Sequence, residues 1–175
     1  MKANRLAALV LLAVSALCGA QEQGQLSPKP LPPLANPDAP DLPVKELFGR
    51  AASAAALPAE TLGFYSKGCL AGAEPLPVNG PSWQAMRLSR NRNWGHPELV
   101  RFLEHFSRKA AGVSGWPGLL IGDMSQPRGG PMITGHASHQ IGLDADIWLL
   151  PMPKRELTRL EREQLPSLNV VRADR

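Results

Sequence analysis

The sequence predicts an α+β domain, on two observations. Residues 89–112, "SRNRNWGHPELVRFLEHFSRKAAG", carry the apolar spacing and the end signals of one amphipathic helix. Around it lie short apolar or alternating runs of strand length, each bounded by Gly and Pro. A chain of 175 residues is about one domain and is long enough to bury a real core. No internal repeat is present.

The chain opens with "MKANRLAALVLLAVSALCGA". Lys2 and Arg5 precede an apolar run from Leu6 to Leu17, and small residues follow before Gln21. This reads as a secretory signal peptide over residues 1–20. The run is too short for a spanning helix, which needs about 20 apolar residues. A lipid anchor on Cys18 is the rival, disfavoured by the bulk of Leu17 before it. Residues 21–43 hold much of the chain's proline and show no apolar period, so they read as an extended linker. The folded domain is placed at 44–175. The formal charge of the whole chain is +4, and the leader carries Lys2 and Arg5 of it. So weak a charge, with no basic run of five or more, gives no argument for nucleic-acid binding.

Within the domain, "GCLAGAEPLPV" (68–78) predicts short strands and loops. The helix starts at Pro97, suited to a first helical position, and Gly112 suits the residue after its end. Leu99, Phe102, Leu103, Phe106 and Ala110 share one face, and Arg101, Glu104, His105, Arg108 and Lys109 lie opposite. His105 is therefore expected in solvent. "PGLLIGDM" (117–124) reads as a buried strand and "SQPRGGPMITG" as a loop. In "LDADIWL" the apolar residues Leu143, Ala145, Ile147 and Leu149 alternate with Asp144, Asp146 and Trp148, predicting a strand with one buried face. "KRELTRLEREQL" predicts a short surface helix.

"GHASHQIGLDADIW" (135–148) concentrates the chemistry. Two aspartates on one strand face are unfavourable if buried without partners, and a cation would resolve this. His136 and His139 supply imidazoles beside them. Zinc suits a mixed nitrogen and carboxylate set. Its ligands must converge to about 2 Å from the ion, whereas seven extended residues span roughly 23 Å. The chain must therefore turn back between His139 and Asp146, and Gly142 is the place to do it. Loop histidines are also compatible with plain solvation, and edge-strand aspartates with gatekeeping charges. Spacing does not choose between Asp144 and Asp146. Neither His-Glu-x-x-His nor Gly-x-Ser-x-Gly occurs. Arg90, Arg92 and Trp94 are candidates to line a cleft for an acidic peptide.

"IGDMSQPRGGPMITGHASHQIGLDADIWLLP", "FYSKGCLAGAEPLP" and "MRLSRNRNWGHPELVRFL" resemble the penicillin-insensitive murein endopeptidases, within the lysostaphin and D-alanyl-D-alanine metallopeptidase group. The resemblance covers about residues 61–153. It implies a zinc-dependent periplasmic endopeptidase that cuts the D-alanyl–meso-diaminopimelyl cross-link of peptidoglycan by direct attack, without an acyl-enzyme. It implies an α+β metallopeptidase-like fold on an antiparallel sheet with flanking helices. Carried across, His139 and Asp146 match central zinc ligands and His136 an additional histidine of the same site. Asp144 becomes a neighbour that orients a ligand, and Trp148 a wall of the site. Asp174, in "VVRADR", matches an aspartate for a second metal. Cys69 becomes half of a disulfide without its partner. The family closes its zinc site with a later His-x-His, and no histidine follows His139 here. The resemblance thus implies that the last ligand and the general base lie beyond Arg175. The 175 residues alone would then be an inactive remnant or a metal- or peptidoglycan-binding module. A D,D-carboxypeptidase on the same fold is the remaining alternative.

Overall fold

A computed structural model describes residues 28–168. The predicted signal peptide and Asp174 lie outside the described residues. Residues 28–43 carry no helix or strand and are mostly exposed. Yet this segment is tied to the domain, with Lys29 N–H donating to Ser89 O at 2.8 Å.

Helix α1 (Val44–Gly49) leads to a hairpin of β1 (Glu60–Phe64) and β2 (Lys67–Ala71). Strand β3 (Glu74–Pro75) pairs with β6 (Trp94–Gly95). The central sheet has four strands in the order β4 (Asn79–Gly80), β5 (Trp83–Ala85), β7 (Leu119–Ile121), β8 (Ile147–Trp148). Its pairings are antiparallel except β5–β7, which is parallel. The parallel pair follows from topology: α2 (Pro97–Ser114) lies between these strands in sequence and provides the crossover. The class is α+β, as the sequence predicts.

Strand β7 organises the core. Leu119 and Ile121 point to one face and pack with Leu76, Trp83, Leu99, Val100, Leu103 and Met124. Leu120 points to the other and packs with Met86, Trp148, Met152 and Leu157. Leu120 and Ile121 are fully buried. Each such side chain contributes about 1.5–3 kcal/mol on removal from water.

Helix α2 begins as expected, with Pro97 at its start and His96 as N-cap, Nδ1 accepting from Glu98 N–H at 3.2 Å. Two corrections follow. The helix runs past Gly112 to Ser114, and Gly115 in the left-handed region ends it. Its buried stripe is Leu99, Val100, Leu103 and Ser107, while Phe102 and Phe106 stack on each other at the surface, ring centres 5.6 Å apart. Ser107 is accepted in the core because its hydroxyl pairs with Ser82 Oγ at 3.0 Å. His105 is exposed, as expected.

The run 143–149 also departs from its alternation. Only Ile147–Trp148 forms a strand. Leu143 and Leu149 are exposed, and Trp148 is the buried member, held in the second core cluster. Residues 143–145 leave the sheet because they form the return of the turn at Gly142.

Helix α3 (Arg159–Gln164) has a capping box between Thr158 and Glu161. Buried Arg162 locks it to the sheet, donating to Ala85 O (2.7 Å), Val78 O (3.3 Å), Leu157 O (3.1 Å), Gln84 Oε1 (3.0 Å) and Asn79 Oδ1.

Candidate metal centre

Asp146 sits where the β7–β8 ladder runs on past its regular strands. Gly122 N–H donates to Asp146 O at 2.8 Å, and Asp146 N–H donates to Asp123 O at 2.9 Å. The carboxylate is thereby mounted on the edge of the central sheet.

The histidines come from the irregular segment that precedes β8. This segment has no strand or helix of its own, so its position is fixed from outside. Arg92 Nη2 donates to Thr134 O at 2.5 Å. Gln140 is the second anchor: its amide donates to Ser66 O (2.9 Å) and Ala137 O (3.1 Å) and accepts from Gly68 N–H (3.2 Å). Its backbone N–H donates to Tyr65 O at 3.0 Å. The β1–β2 hairpin thus braces the loop directly behind His139. His139 itself is left-handed, φ 65°, a conformation uncommon for a non-glycine residue.

The turn occurs at Gly142, φ +66°, as the convergence argument requires. A Cβ there would lie 2.4 Å from Leu70 Cδ2 and 3.0 Å from His96 N. Gly142→Ala is expected to destabilise the protein by about 1–3 kcal/mol and to displace the His139 segment. Thermal unfolding together with zinc content after dialysis checks this.

One ligand atom from each of His136, His139 and Asp146 lies within 4.8 Å of the other two. The His136 Nδ1–Asp146 Oδ2 separation is 3.7 Å and His139 Nε2–Asp146 Oδ1 is 3.6 Å. Donors on a tetrahedral zinc, each about 2 Å from the ion, stand about 3.3 Å apart. The two histidine–aspartate separations lie within about 0.4 Å of that spacing. Both ring nitrogens of His139 are buried without a hydrogen-bond partner, although Asp144 Oδ2 lies 2.7 Å from Nδ1. A buried imidazole with unsatisfied nitrogens beside carboxylates is the donor set that a cation completes. The residues present fit a zinc ion.

Without metal the same groups form an ion pair. Burial lowers the His139 pKa, but the contact with Asp146 and the charges of Asp144, Asp146 and Asp123 outweigh it and raise the value overall. The contact with His139 lowers the Asp146 pKa against the opposing effect of burial, helped by the charges of His139, His136 and Arg90. His139 therefore stabilises the fold fully below 6.5 and loses this contribution as pH rises through its raised pKa. Asp146 contributes fully above 3.8 and loses it as pH falls through its lowered pKa. Both contributions are complete only between those ordinary values.

A cleft of about 380 Å³ opens beside the triad, lined by Arg87, Arg90, Asp123, His136, Asp146 and Trp148 among others. The Arg87 guanidinium carbon stands 5.0 Å from the centre of the Trp148 ring. Trp148 therefore borders the site while serving the core. Of the three residues proposed as cleft-lining before α2, Arg90 does face this cleft. Trp94 is buried instead and packs with Leu70 and Ala73, while Arg92 is largely buried, pairs with Asp123 at 2.8 Å and borders a neighbouring cleft together with Arg90. Cys69 is a half-buried free thiol on β2 and no disulfide forms among the described residues.

Asp123 is the residue that sequence reasoning missed. By sequence it falls within the apolar run 117–124 that predicts a buried strand. A carboxylate at the end of "GLLIGD" needs a buried partner, and that is the signal that would have found it.

A family model described as penicillin-insensitive murein endopeptidase matches residues 61–175. The chain belongs to that family. Proteins named penicillin-insensitive murein endopeptidase are among its relatives. The one from Haemophilus influenzae is 48% identical over 91 residues, which are 52% of this chain and 32% of the relative. Those from Escherichia coli O1:K1 and Klebsiella pneumoniae are 41% and 43% identical over 66% of this chain and 42% of each relative. The chain thus spans less than half the length of these murein endopeptidases. The matched region contains the triad, the cleft and both anchors of the histidine loop.

Proposed function

We propose that the protein is a zinc-dependent peptidoglycan endopeptidase that cuts the D-alanyl–meso-diaminopimelyl cross-link outside the cytoplasm. The convergence of His136, His139 and Asp146 beside an open cleft, in a chain of the murein endopeptidase family, carries this reading. His136, His139 and Asp146 hold the ion, and Asp144 orients His139 through Nδ1. Bound there, zinc would supply Lewis-acid polarisation of a peptide carbonyl and would lower the pKa of water toward neutrality. Half-exposed Asp146 and His136 keep one side of the site open to substrate, while buried His139 closes the other. Arg87 and Arg90 bring positive charge to the cleft, suited to the carboxylates of a peptide stem. Asp174 as a ligand for a second metal rests on the sequence resemblance. The extracytoplasmic location is supported by the predicted signal peptide and by the relatives' names; no helix among the described residues is long and apolar enough to cross a membrane.

The test is incubation of the zinc-loaded full-length protein with cross-linked dimeric muropeptides. Conversion of dimer to monomer, absent from a metal-free control, is the expected result. Release of free D-alanine without separation of the cross-linked peptides would replace the reading with a D,D-carboxypeptidase. No conversion by a zinc-loaded sample would leave a binding module in place of an enzyme.

A further inference from the structure

The two histidines of the triad are turned in opposite senses, and each has a carboxylate behind it. His139 presents Nδ1 to Asp144 Oδ2 at 2.7 Å and Nε2 to Asp146 Oδ1 at 3.6 Å. His136 presents Nε2 to Asp123 Oδ2 at 3.3 Å and Nδ1 to Asp146 Oδ2 at 3.7 Å. Asp146 is the shared neighbour, and Asp123 stands to His136 as Asp144 stands to His139.

We propose that Asp123 is a positioning residue for the metal centre: its buried carboxylate holds the proton of His136 on Nε2 and so presents Nδ1 to the metal. This rests on the zinc reading above. A histidine that binds metal through one nitrogen needs an acceptor for the N–H of the other, which fixes tautomer and ring orientation. Asp123 is built for that role. Its side chain is 2% exposed, and its charge is compensated at Oδ2 by Arg90 Nη1 and Arg92 Nη1, each at 2.8 Å. Its backbone carbonyl accepts from Asp146 N–H, so it is fixed relative to the triad's carboxylate. Arg92 reaches from Asp123 to Thr134 O, two residues before His136, so it is fixed relative to the imidazole too. A carboxylate placed only to bind arginine would use both oxygens in a fork. Here both guanidiniums and the imidazole crowd Oδ2, while Oδ1 is buried without a hydrogen-bond partner.

The experiment compares zinc affinity by chelator competition for the parent protein, Asp123→Asn, His136→Ala and the double variant, with His139→Ala as control. Asp123→Asn is expected to weaken zinc binding by about 10–100-fold. The double variant is expected to bind no more weakly than His136→Ala alone, because Asp123 acts through that imidazole. Unchanged affinity in Asp123→Asn, or losses that add in the double variant, would overturn the proposal. A second measurement needs no variant to fold. Long-range ¹H–¹⁵N correlation spectra of the zinc-loaded parent should show His136 protonated at Nε2 and His139 at Nδ1. A proton on Nδ1 of His136 would contradict the proposal. If His139→Ala binds zinc like the parent, the zinc reading itself fails. If that variant loses zinc while Asp123→Asn keeps it, only the role of Asp123 falls.

Discussion

His139→Ala is expected to abolish zinc retention and cross-link cleavage while leaving the metal-free fold intact. His139 is the most buried member of the triad, and its two nitrogens have no hydrogen-bond partner among the described residues. Its removal takes away the contacts with Asp144 and Asp146, so the metal-free unfolding midpoint should fall at pH below the ordinary histidine value and fall less as pH rises through the raised pKa of His139. Zinc binding should weaken by more than the roughly 10–100-fold typical of losing a group that only orients a ligand. The two effects separate in one assay. Zinc at about 100 times its dissociation constant stabilises a folded protein by about 2.7 kcal/mol. The parent should show that rise in thermal stability and the variant should not. Undiminished cleavage, or an unchanged zinc-dependent rise, would contradict the assignment of His139 as a ligand.

The second large effect is on stability. Arg162→Ala is expected to destabilise the protein by about 3–5 kcal/mol, since lost hydrogen bonds to buried carbonyls leave each acceptor short by about 1–3 kcal/mol. The Arg162 guanidinium joins α3 and Leu157 to the open end of the β4–β5 hairpin through Val78 O and Ala85 O, and to the sheet through Gln84. For a chain of this size each kcal/mol moves the midpoint by about 2–4 °C. A fall on the order of 10 °C in calorimetry is therefore predicted. Arg162→Lys should recover little, because an ammonium cannot reach these separated acceptors at once. The functional link is Leu165 O, which accepts from Arg87 Nη2 at 3.1 Å, so loosening α3 frees a side chain that lines the cleft. A loss below about 1 kcal/mol would mean that the hydrophobic contacts of Leu157 and Met152 alone hold this end of the domain.

What was legible in the sequence had a local cause. Pro97 and the spacing of Leu99 and Leu103 determine the start and face of α2 without help from the rest of the chain. The apolar run at Leu119–Ile121 is buried on both faces, as its unbroken character implies. The candidate ligands stand out as a cluster within residues 135–148, and the turn that their convergence demands falls at Gly142, but the choice of Asp146 over Asp144 comes from the family resemblance. What was not legible depends on contacts distant in sequence. Alternation in "LDADIWL" placed Trp148 with the aspartates, but Leu120 and Met152 offer it a core pocket across the sheet. Phe102 and Phe106 fit the helical period yet lie outside, because the core opposite α2 is already filled by Trp83 and Leu76. Gly112 looked like a stop, but it faces open space on the helix and the chain continues one turn to Gly115. Arg92 is a cleft candidate by sequence, and only folding reveals that Asp123, 31 positions away, pairs with it.

The central claim is that His136, His139 and Asp146 hold one zinc ion, and X-ray absorption at the zinc edge of the loaded protein tests it most directly. The account predicts a first shell of nitrogen and oxygen at about 2.0–2.1 Å with the outer scattering of at least two imidazoles. A shell containing sulfur, or one of water oxygens without imidazole, would contradict it.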